Sequence, residues 1–187
     1  STPTATSTPT ATDTPALTST PTATSTPAPP VAPTITWTTK TAMPTARRVL
    51  AVAIANGGKV YAIGGEGRTC EPLATVEEYN PLLDTWSTKA NMPSARWGHG
   101  VAAVGDRIYA IGGAPGCTVP FNKVEEYNAA TNLWQPRADM PTSRHHLAVA
   151  VDGQRIFTIG GTDGYTYLSA VEVYDATTNT WTTRASM

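Results

Sequence analysis

The sequence GGTDGYTYLSAVEVYDATTNTW, residues 160–181, contains a glycine pair, a variable loop, Val-Glu-Val-Tyr-Asp and a tryptophan. The chain contains this order three times, each time after a Met-Pro-x-x-Arg segment. The methionines of these segments are Met43, Met92 and Met140, and Met187 begins a fourth. The glycine pairs begin at Gly64, Gly112 and Gly160, and the tyrosine–tryptophan pairs are Tyr79 and Trp86, Tyr127 and Trp134, and Tyr174 and Trp181. A repeat of about 50 residues predicts an array of similar structural units.

Each repeat contains four short segments that have the composition of β-strands. The first is rich in small and apolar residues and is predicted at 49–55, 97–104 and 145–151. A glycine-containing turn follows, which favours a tight hairpin, and the second strand ends at the glycine pair. The third strand carries the repeated tyrosine, and the fourth carries the tryptophan. The sequence therefore predicts an all-β fold of four-stranded antiparallel sheets.

The polarity of the strands rises in order along each repeat. The first strand consists mostly of Ala, Gly and Val, whereas the third and fourth contain Glu, Thr, Lys and Arg. Radially arranged sheets crowd near the axis and meet water at the rim, so this gradient predicts propeller blades numbered from the centre outward. We expect the glycine pairs where the backbone approaches another strand or takes a positive φ. We expect the tyrosines and tryptophans to pack between adjacent blades.

The Gly-Gly, Tyr and Trp pattern at this spacing resembles the kelch repeat, which also builds the central domain of galactose oxidase. The resemblance covers about residues 34–187. It implies kelch blades at about 44–88, 93–136 and 141–184. Kelch propellers commonly have six or seven blades. They commonly bind partners through inter-blade loops and loops after Gly-Gly, which emerge on one face of the ring.

Three repeats do not close a propeller, which needs four to eight blades. The segment WTTKTAMP (37–44) matches WSTKANMP (86–93), so an extra N-terminal Trp strand, 35–40, precedes the first blade. The chain stops within a further Met-Pro segment at Met187. We expect the fold to be an incomplete propeller that is completed by missing blades of the same polypeptide or by self-association of two chains. Exposed strand edges would then favour association.

Residues 1–33 have a different composition from the rest of the chain. They are almost wholly Ser, Thr, Pro and Ala, with STPTAT at 1–6, 7–12 and 19–24. Such a tract cannot bury apolar area, and its prolines favour extended conformations. Ser/Thr-rich tracts with Pro are typical of stalks that carry O-linked sugars. We therefore expect a disordered or extended stalk and an extracellular or cell-surface location, with no membrane insertion.

The arginines of the Met-Pro-x-x-Arg segments, Arg47, Arg96 and Arg144, fall in the inter-blade loops. In some kelch propellers, arginines at this position line the channel mouth and bind acidic peptides, so the resemblance implies a binding role. The alternative is that each arginine bonds to neighbouring carbonyls or to a glutamate and sets the blade geometry. The third-strand glutamates, Glu77, Glu125 and Glu172, and the basic residues after each tryptophan are expected to be solvated or ion-paired at the rim.

The loops after Gly-Gly differ between the repeats, which is where specificity is expected on a regular scaffold. The candidate contact residues in these loops are Arg68, Phe121, Tyr165 and Tyr167. Cys70 and Cys117 occupy nearly equivalent positions in adjacent loops. A disulfide between them needs Cα atoms within about 7 Å. The sequence is compatible with a disulfide between these cysteines and with two free thiols.

Composition and motifs argue against several functional classes. The formal net charge is −1 and no Lys/Arg run occurs, so nucleic acid is a poor partner. His145 and His146 are expected to point to opposite faces of a strand, which prevents a shared metal. We find no nucleophile–base pair, phosphate loop or Tyr/His copper constellation, and we predict no catalytic residue, metal or cofactor. The predicted function is a non-catalytic module that binds protein or carbohydrate; the alternative is part of a carbohydrate-active or oxidative enzyme whose catalytic residues lie elsewhere.

Overall fold

The structure is a computed structural model that describes residues 35–68, 71–117 and 119–187. The predicted stalk at 1–33 lies outside the described residues. The chain divides into a unit at 1–38 and a unit at 39–187. The described part of the first unit, 35–38, contains no strand. None of the described residues form a helix that could cross a membrane.

The second unit consists of three four-stranded antiparallel sheets. Blade 1 contains β1 (Ala51–Ala55), β2 (Lys59–Ile63), β3 (Val76–Asn80) and β4 (Thr85–Thr88). Blade 2 contains β5 (Gly100–Val104), β6 (Arg107–Ile111), β7 (Val124–Asn128) and β8 (Leu133–Arg137). Blade 3 contains β9 (Ala148–Asp152), β10 (Arg155–Ile159), β11 (Val171–Asp175) and β12 (Thr180–Arg184). Within each sheet the strands pair in chain order, which confirms the predicted blades of an incomplete propeller.

The predicted N-terminal Trp strand does not form. Residues 35–40 take no strand conformation. The expected partner of such a strand is the free edge of a third strand. In the described residues each third strand already pairs with the fourth strand of its own blade. The segment therefore has no such edge to join among the described strands.

The innermost strands begin two or three residues later than the sequence predicts. One repeat position has a positive φ in all three repeats. It is occupied by Val49, Gly98 and His146, with φ of 52°, 62° and 54°, respectively. Extended strand backbone requires a negative φ, so the strands cannot begin before this residue. The Gly98 amide donates to the Val49 carbonyl (3.2 Å), and the His146 amide donates to the Gly98 carbonyl. These bonds link consecutive blades beside their innermost strands.

The core lies between adjacent blades. Tyr127 of blade 2 packs edge-on against Tyr61 of blade 1, with 5.8 Å between ring centroids. Tyr174 of blade 3 packs against Tyr109 of blade 2 at 5.6 Å. The tryptophan indole of Trp134 donates to the carbonyl of Ala90 in the connector before blade 2. The prediction that these aromatic residues join neighbouring blades is confirmed.

The glycine pairs meet both conditions predicted for them. All six glycines have a positive φ, and a Cβ on Gly65 would lie 2.7 Å from the Arg48 carbonyl oxygen. The Gly65 amide donates to the carbonyl of Arg96, and the Gly113 amide donates to that of Arg144. The first two pairs therefore join the end of a second strand to the connector of the next blade.

Candidate functional site

The inter-blade connectors and the loops after Gly-Gly lie together, as predicted. Isolated β-bridges join Arg48 to Glu66, Trp97 to Ala114 and His145 to Thr162. Each bridge pairs the residue that follows the repeated arginine with the residue that follows the glycine pair. One face of the unit therefore carries both kinds of variable segment, which we call the loop face.

The three repeated arginines are buried beneath the loop face. The side chains of Arg47, Arg96 and Arg144 are each 0% exposed. Arg96 donates to the carbonyls of Gly112 and Lys123 at 3.0 Å and pairs with the Glu125 carboxylate at 2.8 Å. Burial lowers the pKa of Arg96 to about 10, against the effect of Glu125, so the guanidinium remains charged at neutral pH.

These contacts match the alternative in which each arginine sets the geometry of a blade. Arg144 likewise donates to the Gly160 and Ala170 carbonyls and pairs with Glu172 at 2.7 Å. The carbonyls belong to the end of the second strand and the start of the third, where the ladder stops. Since each guanidinium is fully buried, none is available to a ligand in this structure. A binding role for the arginines stays a prediction that these contacts do not support.

The third-strand glutamates are ion-paired, but the prediction that they lie at a solvated rim is wrong. Glu77, Glu125 and Glu172 are buried, and each also accepts a hydrogen bond from a hydroxyl of the Met-Pro-x-x-Arg segment. The hydroxyl donors are Thr45, Ser94 and Thr142. The carboxylates face inward because a buried guanidinium needs a charge partner and further hydrogen bonds. The basic residues after two of the tryptophans, Lys89 and Arg137, are ion-paired as expected, with Glu78 and Glu126.

The loop face contains a cleft of about 430 Å³ between blades 2 and 3. It is lined by Trp97, Cys117, His145, His146, Thr162, Gly164, Tyr165, Thr166 and Tyr167. The indole of Trp97 packs against both imidazole rings, with centroids 5.1 and 5.4 Å away. Its Nε1 donates to the Gly116 carbonyl at 3.2 Å, which fixes the ring. Two of the four predicted loop contacts, Tyr165 and Tyr167, lie at this cleft and are 86% and 96% exposed.

The histidine pair at the cleft contradicts the sequence-based prediction. His145 and His146 were expected on opposite faces of a strand, but β9 begins only at Ala148. The positive φ of His146 turns the chain, so the two rings meet with 4.6 Å between centroids. Their Nδ1 atoms are 2.6 Å apart, so one imidazole donates a hydrogen bond to the other. Burial, and then the neighbouring His146, lower the pKa of His145, which favours the neutral form of its ring.

The blade 3 loop holds its tyrosines in place through Asp163. One carboxylate oxygen of Asp163 accepts from the amides of Tyr165 (2.8 Å) and Thr166 (2.7 Å). The other accepts from the Thr166 hydroxyl at 3.1 Å. These amide bonds lower the pKa of Asp163, so the carboxylate stays ionised under neutral conditions. The loop is thus a compact turn that presents two aromatic side chains to solvent.

The other predicted loop residues lie away from the cleft lining. Arg68 is exposed in the blade 1 loop. Phe121 is half-buried, and the Arg96 guanidinium lies over its ring, 4.4 Å from the centroid. Cys117 is exposed at the cleft, whereas Cys70 lies outside the described residues, so the disulfide stays a prediction. No group of three His, Cys, Asp or Glu side chains that could hold a metal occurs among the residues placed by the structure.

Sequence reasoning missed Trp97 and both histidines as candidate site residues. A signal was present, because the residue after the repeated arginine is Arg48, Trp97 or His145 in the three repeats. This position varies although it directly follows the repeated arginine. In blade 1 it forms an ion pair, with Arg48 Nε 2.7 Å from Glu66, where the other blades have aromatic rings.

Comparison with known proteins agrees with this architecture. A family model for the KLHDC2/KLHL20/DRC7 Kelch-repeats domain matches residues 34–186. The chain belongs to the kelch-repeat family. Comparison with curated proteins finds no sequence relative. The solved structure of YjhT is similar to this kelch chain over 81% of its length, with 20% sequence identity and a TM-score of 0.72. The kelch chain spans 56% of that structure, and a likeness at this identity concerns the fold alone.

Proposed function

We propose that this kelch chain is a non-catalytic binding module whose recognition site is the loop-face cleft between blades 2 and 3. The observation that carries the proposal is the pair of almost fully exposed tyrosines, Tyr165 and Tyr167, beside an aromatic cleft of about 430 Å³. Exposed Tyr and Trp rings provide a large contact area at a low entropic cost, and such residues dominate binding energies. The ligand is a protein segment or a carbohydrate.

The rigidity of the site supports this role. Trp97 is fixed by its hydrogen bond to Gly116, and the tyrosine loop is fixed by Asp163. A site held in place before binding loses less conformational entropy when a ligand arrives. The arginine–glutamate pairs beneath it add support, because they join the strand ends from which the loops leave.

Binding of the chain to immobilised peptide and glycan panels tests the proposal. We expect at least one class of ligand to be retained by the chain and lost in Tyr165→Ala and Tyr167→Ala. Leu82→Ala is a matched control, since Leu82 is 90% exposed and lies in the turn between β3 and β4, outside the cleft. Equal binding by the tyrosine variants and the control would refute the assignment of the site.

We further propose that the Thr/Pro-rich segment at 1–33 displays the kelch unit outside the cell or on its surface. The support is its composition, which suits an extended spacer and not a packed domain. Antibody labelling of intact producing cells tests this location. Labelling that appears only after permeabilisation would contradict it.

We also propose that another blade covers the outward faces of blades 1 and 3, supplied by the same polypeptide or by a second copy. Val52 and Ile54 of β1 are 56% and 63% exposed, although they lie on an innermost strand. The corresponding residues of blade 2, Val101 and Ala103, are partly buried, because they pack against a core cluster that includes blade 1 residues. Light scattering of the 187-residue chain distinguishes the sources, because a second copy predicts a dimer. Monomers whose β1 and β9 amides are fully protected from hydrogen exchange would contradict the need for cover.

A further inference from the structure

The chemistry of the cleft lining restricts the class of ligand. Of the described residues that line it, none has a carboxylate, ammonium or guanidinium group. The lining offers aromatic rings from Trp97, His145, His146, Tyr165 and Tyr167, with hydroxyls from two threonines. Burying a ligand charge without a partner is costly, so an acidic or basic group has no counterpart here. The lining suits an uncharged ligand with an apolar surface and several hydroxyl groups.

The arrangement of the rings indicates stacking rather than enclosure. Trp97 and the two histidines pack against one another, whereas Tyr165 and Tyr167 stand open to solvent. An aromatic cage for a cationic group surrounds it with ring faces. Open rings suit a flat ligand with one apolar face, such as the C–H face of a pyranose ring. The cleft volume lies within the range of small-molecule sites, whereas a stable protein interface covers about 800 Å² on each partner.

The histidine pair provides hydrogen bonds that suit neighbouring hydroxyls. One Nδ1–H donates to the other Nδ1 across 2.6 Å. In neutral imidazoles the donating ring then has a bare Nε2, and the accepting ring has an Nε2–H. Whichever ring donates, the pair presents one acceptor and one donor. Two adjacent sugar hydroxyls can satisfy both, since each hydroxyl donates and accepts.

We propose that the loop-face cleft binds an uncharged sugar unit of a glycan, stacked on the exposed tyrosines, with two neighbouring hydroxyls bonded to the Nε2 atoms of His145 and His146. This inference rests on the proposed function and names the ligand class of the same site. The buried arginines do not contribute to it, because their guanidinium groups are occupied by Glu77, Glu125 and Glu172.

Titration of the 187-residue chain with uncharged methyl hexopyranosides and oligosaccharides tests the inference. The probes are glucose, galactose and mannose derivatives. Their binding is measured by tryptophan fluorescence and by NMR of the histidine side chains. A monosaccharide ligand is expected to bind with a dissociation constant of about 1 mM, the order set by its few non-hydrogen atoms. Oligosaccharides should bind more tightly. The shift of the histidine resonances should follow the same binding curve as the tryptophan fluorescence.

Variants locate the contact. Tyr165→Ala and Tyr167→Ala are expected to weaken binding at least tenfold, while Leu82→Ala leaves it unchanged. His146→Gly removes one Nε2 while keeping the backbone conformation, because Gly98 occupies the equivalent position with a positive φ. This variant should also weaken binding tenfold, without lowering the temperature of thermal unfolding.

The outcomes separate this inference from the proposed function. Peptides or charged sugars that bind at the cleft, when uncharged sugars do not, would overturn the inference and leave the binding module intact. Sugar binding that all three cleft variants retain would overturn the inference and the site together. If neither class of ligand shifts any cleft resonance, the proposed function fails as well.

Discussion

Replacing the buried residue His99 with leucine should stabilise the protein. Neither ring nitrogen of His99 has a hydrogen-bond partner among the described residues. The equivalent residues of the other two repeats are Leu50 and Leu147. A Cβ added to Gly113 would lie 2.8 Å from the Cβ of His99, so only a glycine fits opposite this residue. Histidine is therefore the exception at a site built for an aliphatic side chain.

Two effects give the magnitude of the change. An unsatisfied buried polar group costs about 1–3 kcal/mol, so His99→Leu should raise the free energy of unfolding by about that amount at pH 7. Burial, and then the charge of Arg96, lower the pKa of His99 from 6.5 to about 3. The folded state therefore stays neutral while the unfolded state takes up a proton below pH 6.5. The contribution of His99 to stability is therefore unchanged above pH 6.5. Below that pH it lowers the free energy of unfolding by about 1.36 kcal/mol per pH unit, until about pH 3.

Urea denaturation of the wild type and His99→Leu at pH 7 and pH 5 measures both effects. The stability difference between the two proteins should widen by about 2 kcal/mol at pH 5, the product of about 1.5 pH units and about 1.36 kcal/mol. Carboxylates that titrate in this range are common to both proteins and cancel. Leu147→His is the reciprocal control and should introduce the same acid sensitivity. A difference that stays constant between the two pH values, or a destabilised His99→Leu, would refute the reasoning.

Other predictions follow from the repeated contacts and are each measured by urea denaturation. Arg144→Ala should lower the free energy of unfolding by about 3–5 kcal/mol, because it leaves the Glu172 carboxylate buried without its partner. Replacing Arg144 with Met and Glu172 with Gln together should recover part of this loss. Additive effects of the two replacements would contradict the pairing. Val49→Gly should stabilise by about 1 kcal/mol, since Val49 has a φ of 52° that glycine adopts without strain, and a loss of stability would argue against that conformation. Asn132→Ala should cost about 2 kcal/mol, because the Asn132 side chain accepts from the Ala90 amide and the Tyr127 hydroxyl, and an unchanged midpoint would show that these bonds are not formed.

The fold was predictable because it depends on features that recur along the chain. The second strands end immediately before their glycine pairs, at Ile63, Ile111 and Ile159, as the sequence predicts, since each lies between a turn signal and a glycine pair. The innermost strands begin two or three residues later in the structure than the sequence predicts. Their start depends on one residue with a positive φ, which is glycine in only one of the three repeats and so leaves no consistent sequence signal.

The site was only partly predictable. The variable loop after Gly160 identified Tyr165 and Tyr167, because loops that differ on a regular scaffold are where specificity is built. Trp97, His145 and His146 were missed because they come from the connectors, whose repeated arginine drew the functional interpretation. That arginine looks like a ligand-binding residue in the sequence, and its burial depends on carbonyls and a glutamate from distant strands.

By itself, the sequence determined the repeat, the order of strands, the hairpin turns and the residues that join neighbouring blades. These are local or periodic properties, set by side-chain size, turn chemistry and the alternation of polar and apolar residues. Only the tertiary structure decided which charges are buried and which aromatic rings share a cleft. It paired Arg47, Arg96 and Arg144 with inward-facing glutamates, and it turned His146 so that its ring meets His145. Both outcomes depend on contacts between segments that the sequence separates, and on a backbone angle that the residue type does not reveal.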